Sequence, residues 1–234
     1  MKSQNGLPVI YVAIDTKDIG RANELAAAVT EAGCGVKLGL EFFNRHGPQG
    51  VQMIQNEGFK PSLFLDLKYH DIPNTVAGAV ESAVSLDVAF LNVHASGGTE
   101  MMQAARRACT GNTRLLAVTL LTSLGEQDID TVGYKGPAAD QVERLARLTH
   151  GAGLDGVVCS AHEIKQLRNA LPKDFILMVP GIRPEGSNAA DQKRVMTPKQ
   201  AVDAGATHLV IGRPITESPN PKQAALDIIA SIGA

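Results

Sequence analysis

Eight short apolar, β-branched runs, separated by longer amphipathic segments, constrain this chain more than any other feature. The runs fall at 9–14, 35–38, 62–67, 88–93, 114–119, 156–159, 175–179 and 208–211. They are close to continuously apolar, as strands covered on both faces are. Between them, helical spacing is clearest at 20–32, 75–86, 99–109, 138–150, 161–170, 198–204 and 222–232. The segment 42–58 also reads as helical, broken at Gly47-Pro48. Three helical segments end in Ala-Gly just before a strand, at Ala32-Gly33, Ala152-Gly153 and Ala204-Gly205. Glycine after the last turn is a helix stop. Eight strand–helix units in 234 residues predict an α/β fold, a (β/α)8 barrel, with 1–234 as one domain. An open doubly wound sheet is the alternative. The Gly-x-Gly-x-x-Gly turn expected after its first strand is missing, because Asp15-Thr16-Lys17-Asp18 follows 9–14. Two stretches look irregular, 120–137 and the polar 183–197, and long loops often serve as lids.

Composition removes several function classes. The net charge is -2 and aromatics are 4%, so neither a basic face nor a base-stacking surface for nucleic acid is expected. Cys34, Cys109 and Cys159 are scattered and odd in number, which suits a reducing compartment better than a disulfide framework. The first six residues are polar and predict no signal peptide. No apolar run approaches membrane-spanning length, and the default location is the cytoplasm.

A barrel of this kind builds its active site at the carboxyl ends of its strands. Strand one ends at Asp15, and strand two carries Lys37. Strand three gives Asp66 and Lys68, which alternation places on one face, and Asp71 follows in the next loop. Strand four ends near His94 and strand five near Thr122 and Ser123. Arg183 follows strand seven, and Gly212-Arg213-Pro214 follows strand eight. Five charged residues, Asp15, Lys37, Asp66, Lys68 and Asp71, thus converge on one rim. Buried charges are costly unless paired or used. Gly212 lets backbone approach a ligand, Pro214 suits a first helical turn, and Arg213 can fork onto a phosphate. The plain alternative there is a strand–helix turn with a solvated arginine.

Other groups have blander readings. His94 is read as a structural histidine at a strand end. His46, His70, His150, His162 and His208 share no metal-ligand spacing. Glu31, Glu41 and Glu57 read as solvated. Ser123 has no evident His–Asp partnership, and Cys159 has no neighbouring base to activate it.

The stretch Asp66-x-Lys68-x-x-Asp71-Ile72-Pro73-Asn74-Thr75 closely resembles the signature of the orotidine 5'-phosphate decarboxylase family. Five further motifs resemble family segments in order along the chain: 36–39, 118–123, 179–184, 191–198 and 210–215. The resemblance implies a metal- and cofactor-independent decarboxylase of orotidine 5'-phosphate, working as a homodimer with shared sites. It implies that Lys37, Asp66, Lys68 and Asp71 form a charged tetrad, with Lys68 the proton donor. Asp71 and Thr75 would reach the partner subunit's site. Asp15 and Lys37 would hold the ribose, and Thr122 and Ser123 would lie by the pyrimidine. Arg183, Gln192, Gly212 and Arg213 would gather around the phosphate. Two alternatives remain. One is a magnesium-dependent sugar-phosphate decarboxylase or hexulose-phosphate synthase of the same superfamily, although Lys37 stands where those enzymes place a metal-binding glutamate and is a poor magnesium ligand. The other is a non-catalytic nucleotide-binding barrel.

Overall fold

The computed structural model describes residues 1–3, 6–56, 58–184 and 196–233. All eight predicted runs are strands: β1 (Ile10–Ile14), β2 (Gly35–Gly39), β3 (Leu63–Tyr69), β4 (Phe90–His94), β5 (Arg114–Val118), β6 (Gly156–Val158), β7 (Ile176–Val179) and β8 (His208–Ile211). They pair in parallel and in chain order, and β8 closes onto β1. The (β/α)8 barrel is therefore the fold, and the doubly wound alternative is set aside.

The helices are α1 (Ile19–Glu31), α2 (Leu40–Asn56), α3 (Pro73–Val84), α4 (Gly98–Ala108), α5 (Glu126–Thr131), α6 (Ala138–Gly151), α7 (Ile164–Ala170), α8 (Pro198–Ala204), α9 (Arg213–Thr216) and α10 (Pro221–Gly233). Gly47 takes φ 61° and ψ -161° inside α2, which kinks where Gly47-Pro48 predicts a break. The three glycine stops hold: Gly33, Gly153 and Gly205 have φ of 85°, 82° and 112°. Only glycine adopts that backbone at no steric cost. Two expectations need correction. The stretch 120–137 is not wholly irregular, since it contains α5, a short polar helix that buries only Ile129. The 161–170 helix is split, because Ala161–Glu163 forms a 3-10 turn before α7. Among the described residues no helix is long and apolar enough to cross a membrane.

The core has two layers. The larger lies between strands and helices, and the smaller lies inside the barrel around Tyr11, Phe64, Phe90, Leu116, Ile176, Met178 and Val210. The inner rings meet edge to face: Tyr11 and Phe90 have centroids 5.3 Å apart at 82°, and Phe90 and His208 lie 5.0 Å apart at 68°. Gly35 is required here, since a Cβ would collide with the Tyr11 ring. These rings close the barrel floor near the amino ends of the strands. Strand side chains alternate. Lys37 lies two residues beyond Gly35 and opposite Phe64, and Asp66 and Asn92 lie two residues beyond the paired Phe64 and Phe90, so all three side chains share the inner face toward the barrel mouth.

Candidate active site

Asp66 is the hub of the mouth. Its Oδ1 accepts from Lys68 Nζ at 2.7 Å and from Asn92 Nδ2 at 2.7 Å. Its Oδ2 lies 3.4 Å from Lys37 Nζ. Lys37 Nζ also lies 3.4 Å from Asp15 Oδ1. Lys37 is 7% exposed, so its charge sits in a nearly dry position and depends on the two carboxylates. Burial pushes the Asp66 carboxyl upward, but Lys37, Lys68 and Asn92 outweigh it and hold the group below its ordinary value.

Lys68 reaches Asp66 by a route that plain alternation does not give. The β3–β4 register shifts between Leu65 and Tyr69, and Lys68 adopts φ 51°. A left-handed non-glycine residue costs on the order of 1–3 kcal/mol and survives only when its surroundings fix it. The Lys68 N–H donates to Asn92 Oδ1 at 2.8 Å. The bulge turns the lysine into the mouth, where one of its three ammonium donors is spent on Asp66.

The remaining sequence candidates divide. Asp15 follows β1 directly and pairs with Lys37 as expected of the rim. Asp71 does not join the cluster of its own chain. It is exposed, its Oδ1 accepts from the Ile72 N–H at 2.6 Å, and it forms no ion pair among the described residues. The five-charge rim is thus four charges in one chain. Thr75 is exposed in the first turn of α3. Thr122 and Ser123 lie in an exposed turn beyond the end of β5, not at the strand end itself. Arg183 is buried beyond β7, and its Nε has no hydrogen-bond partner among the described residues. Gln192 lies outside the described residues. Gly212 caps the four-residue α9, with Pro214 in its first turn as expected. Asp15, Thr16, Arg21, Gly212 and Arg213 line a cavity of about 440 Å³ between the ends of β1 and β8. A cavity of about 460 Å³ at the opposite end of the barrel touches Arg114, His150 and Asp155, away from this cluster.

His94 ends β4 with its ring 5.4 Å from that of His70. Burial, helped by His70 and Lys68, lowers its pKa against the pull of Asp66. Cys159 is buried and its thiol is pushed well above its ordinary value, first by burial, so it is not a nucleophile in waiting. The sequence assigns no role of its own to Asn92 or to Gly39, the latter inside the 36–39 motif. Asn92 had a signal, a lone amide inside an apolar strand. Gly39 had none: a Cβ there would stand 3.0 Å from Lys37 Nζ and 3.2 Å from Asp15 Oδ1, so glycine leaves room for that pair.

A closed parallel barrel with lysine–aspartate pairs in its mouth has the architecture of an enzyme of the (β/α)8 class. The chain belongs to the orotidine 5'-phosphate decarboxylase / HUMPS family, whose model matches residues 8–228. It is 52% identical over 231 residues to an orotidine 5'-phosphate decarboxylase of Rhodospirillum rubrum, covering 95% of this chain and 93% of the relative. It is 48% identical to one from Idiomarina loihiensis, covering 97% and 99%. A crystal structure of orotidine 5'-phosphate decarboxylase from Lactobacillus acidophilus superposes with a TM-score of 0.85 at 34% identity, covering 97% of this chain and all (100%) of the other.

Proposed function

We propose that this chain converts orotidine 5'-phosphate to uridine 5'-phosphate and CO2, the last step of pyrimidine nucleotide synthesis. It does so in the cytoplasm, as a homodimer, with 1–234 as one catalytic domain and with no metal or organic cofactor. The observation that carries the reading is Asp66 held between Lys37 and Lys68 in the barrel mouth.

The chemistry matches that arrangement. The bond from the ring carbon to the carboxylate breaks, CO2 departs, and the electron pair stays on the ring carbon. No electron sink adjoins that carbon, so a fixed cation and prompt protonation are what a protein can offer. Lys68 Nζ delivers the proton and regains one from water. Asp66 orients the ammonium and faces the departing carboxylate. Asp15 and Lys37 hold the ribose hydroxyls, and Thr122 and Ser123 lie by the pyrimidine. Arg183, Gln192, Gly212 and Arg213 receive the phosphate, and the buried Nε of Arg183, without a hydrogen-bond partner among the described residues, suits an anion. Asp71 and Thr75 serve the partner's site. In support, Asp71 is exposed beside Ile72, an apolar side chain left 67% exposed in the single chain.

The family name also covers sugar-phosphate enzymes. For a magnesium-dependent reading, Lys37 is the obstacle, since its ammonium lies 3.4 Å from both Asp15 and Asp66 and repels a divalent ion there. A pure binder has no need of the strained Lys68. The test is loss of orotate absorbance from orotidine 5'-phosphate with and without a chelator. Equal turnover in both is expected. No turnover in either sinks the reading, and chelator-sensitive activity on a pentulose or hexulose phosphate replaces it.

A further inference from the structure

We propose that Asn92 is a positioning residue that sets the Lys68 ammonium against Asp66. The inference rests on the decarboxylase reading above. Asn92 is fully buried (0% exposed) and is the one polar residue among Phe90, Leu91, Asn92 and Val93 of β4. Both ends of its amide are committed to the site. Nδ2 donates to Asp66 Oδ1 at 2.7 Å, and Oδ1 accepts from the Lys68 backbone N–H at 2.8 Å. The amide orientation is fixed by chemistry, because a carboxylate only accepts and a backbone N–H only donates.

These bonds close a ring. It runs from the Asp66 carboxylate to the Lys68 ammonium, down the lysine to its backbone N–H, and through the Asn92 amide back to the same Asp66 oxygen. The lysine is therefore held at its head by Asp66 and at its root by Asn92. The root needs holding. Lys68 sits at φ 51°, where the β3–β4 register slips. A backbone placed there drifts back toward an ordinary strand unless contacts prevent it. No apolar side chain can do this job. Leucine offers neither donor nor acceptor, and aspartate offers acceptors only and repels Asp66. An amide meets both demands from a single strand position, opposite the bulge.

The test compares Asn92→Ala, Asn92→Asp and Asn92→Ser with the wild type. It uses full-length protein, orotidine 5'-phosphate turnover over a range of pH, binding of uridine 5'-phosphate, and thermal melting. Asn92→Ala is expected to lower kcat by about 10- to 100-fold, since misplacing a reacting group by roughly 1 Å has that scale of effect. KM should stay within about threefold, because no substrate contact is removed. Asn92→Ser keeps a group that donates and accepts, and should recover part of the lost kcat. Asn92→Asp should move the acid limb of the kcat profile upward, as two adjacent carboxylates resist ionising together. Folded variants with wild-type kcat and an unmoved pH profile overturn the proposal, even if their melting temperature falls. Loss of folding in all three also counts against it, since Asn92 then belongs to the core. A wild type without turnover overturns the decarboxylase reading instead, so the two failures are distinct.

Discussion

The two ends of the barrel each carry an acid between two bases, and they spend it differently. At the amino end, Asp155 precedes β6 and binds Arg106 at 3.0 Å and Arg114 at 3.4 Å. The same carboxylate accepts from the Leu115 N–H at 2.8 Å, and Arg106 donates to the Cys109 carbonyl at 2.7 Å. That cluster fastens chain joints: Asp155 and Arg106 each also tie down backbone. At the carboxyl end, Asp66 binds Lys37 and Lys68, and the lysine ammoniums meet carboxylates rather than backbone. Lys68 also holds a strained backbone to be there. Charges that fasten structure satisfy themselves locally, whereas those at the mouth, proposed above to meet the substrate, keep spare donors and face open space. The same fold thus separates stability from chemistry along one axis.

This contrast can be broken at several points. The largest expected effect is a complementation. Mixed Asp71→Ala and Lys68→Ala subunits, each nearly inactive alone, should regain roughly a quarter of wild-type turnover if sites are shared in a two-fold dimer. Continued inactivity of the mixture, with dimers present by sedimentation, places each site within one chain.

Next is the floor. Burial pushes the His208 imidazole down to about 4, against the bond from its Nδ1 to the Pro8 carbonyl at 2.8 Å. The folded chain then binds fewer protons than the unfolded chain between pH about 4 and 6.5. Its contribution is present above pH 6.5 and is lost as the pH falls toward 4, by up to about 3 kcal/mol. Glu163, raised to about 7 mainly by burial, acts with the opposite sign, so the readout is a difference. Urea midpoints of the wild type and His208→Gln should converge as the pH drops through this window. Parallel curves remove His208 from the acid response.

Asp155→Ala leaves two arginines and the Leu115 N–H without their acceptor. A loss of about 2 kcal/mol is expected by denaturant unfolding, with kcat per folded molecule unchanged. A fall in kcat at equal folded fraction would dissolve the distinction between the two ends. The smallest effect is at Tyr11, whose hydroxyl meets Ser62 Oγ at 2.7 Å. Tyr11→Phe should cost about 1 kcal/mol, the ordinary worth of one such bond, and leave turnover alone.

What the sequence revealed depended on where the signal lay. The strands were legible because both faces of each are covered, which writes a continuous apolar run. The kink in α2 was legible because Gly47-Pro48 is local chemistry. By contrast, α5 buries only Ile129, so no apolar period marks it. Asp66 and Lys68 were rightly paired, but through a bulge and a left-handed backbone that alternation does not foresee. Asn92 was passed over because one amide in an apolar strand reads as an exception until its partners are seen. Gly39 acts by the space it leaves, which no residue pattern displays. Asp71 stands apart in a single chain, exposed and accepting from the Ile72 N–H, and the proposed role in a partner's site would leave no trace in one subunit's contacts.

The central claim is that Lys68, held by Asp66, is the group that protonates the product carbon. The direct measurement is orotidine 5'-phosphate turnover, under chelation, by Lys68→Ala beside the wild type, with binding of uridine 5'-phosphate as the control for folding. A fall in kcat of at least about 1000-fold with the nucleotide still bound is expected, from loss of both the proton and the fixed cation. A Lys68→Ala protein that binds the nucleotide and turns over near the wild-type rate contradicts the claim.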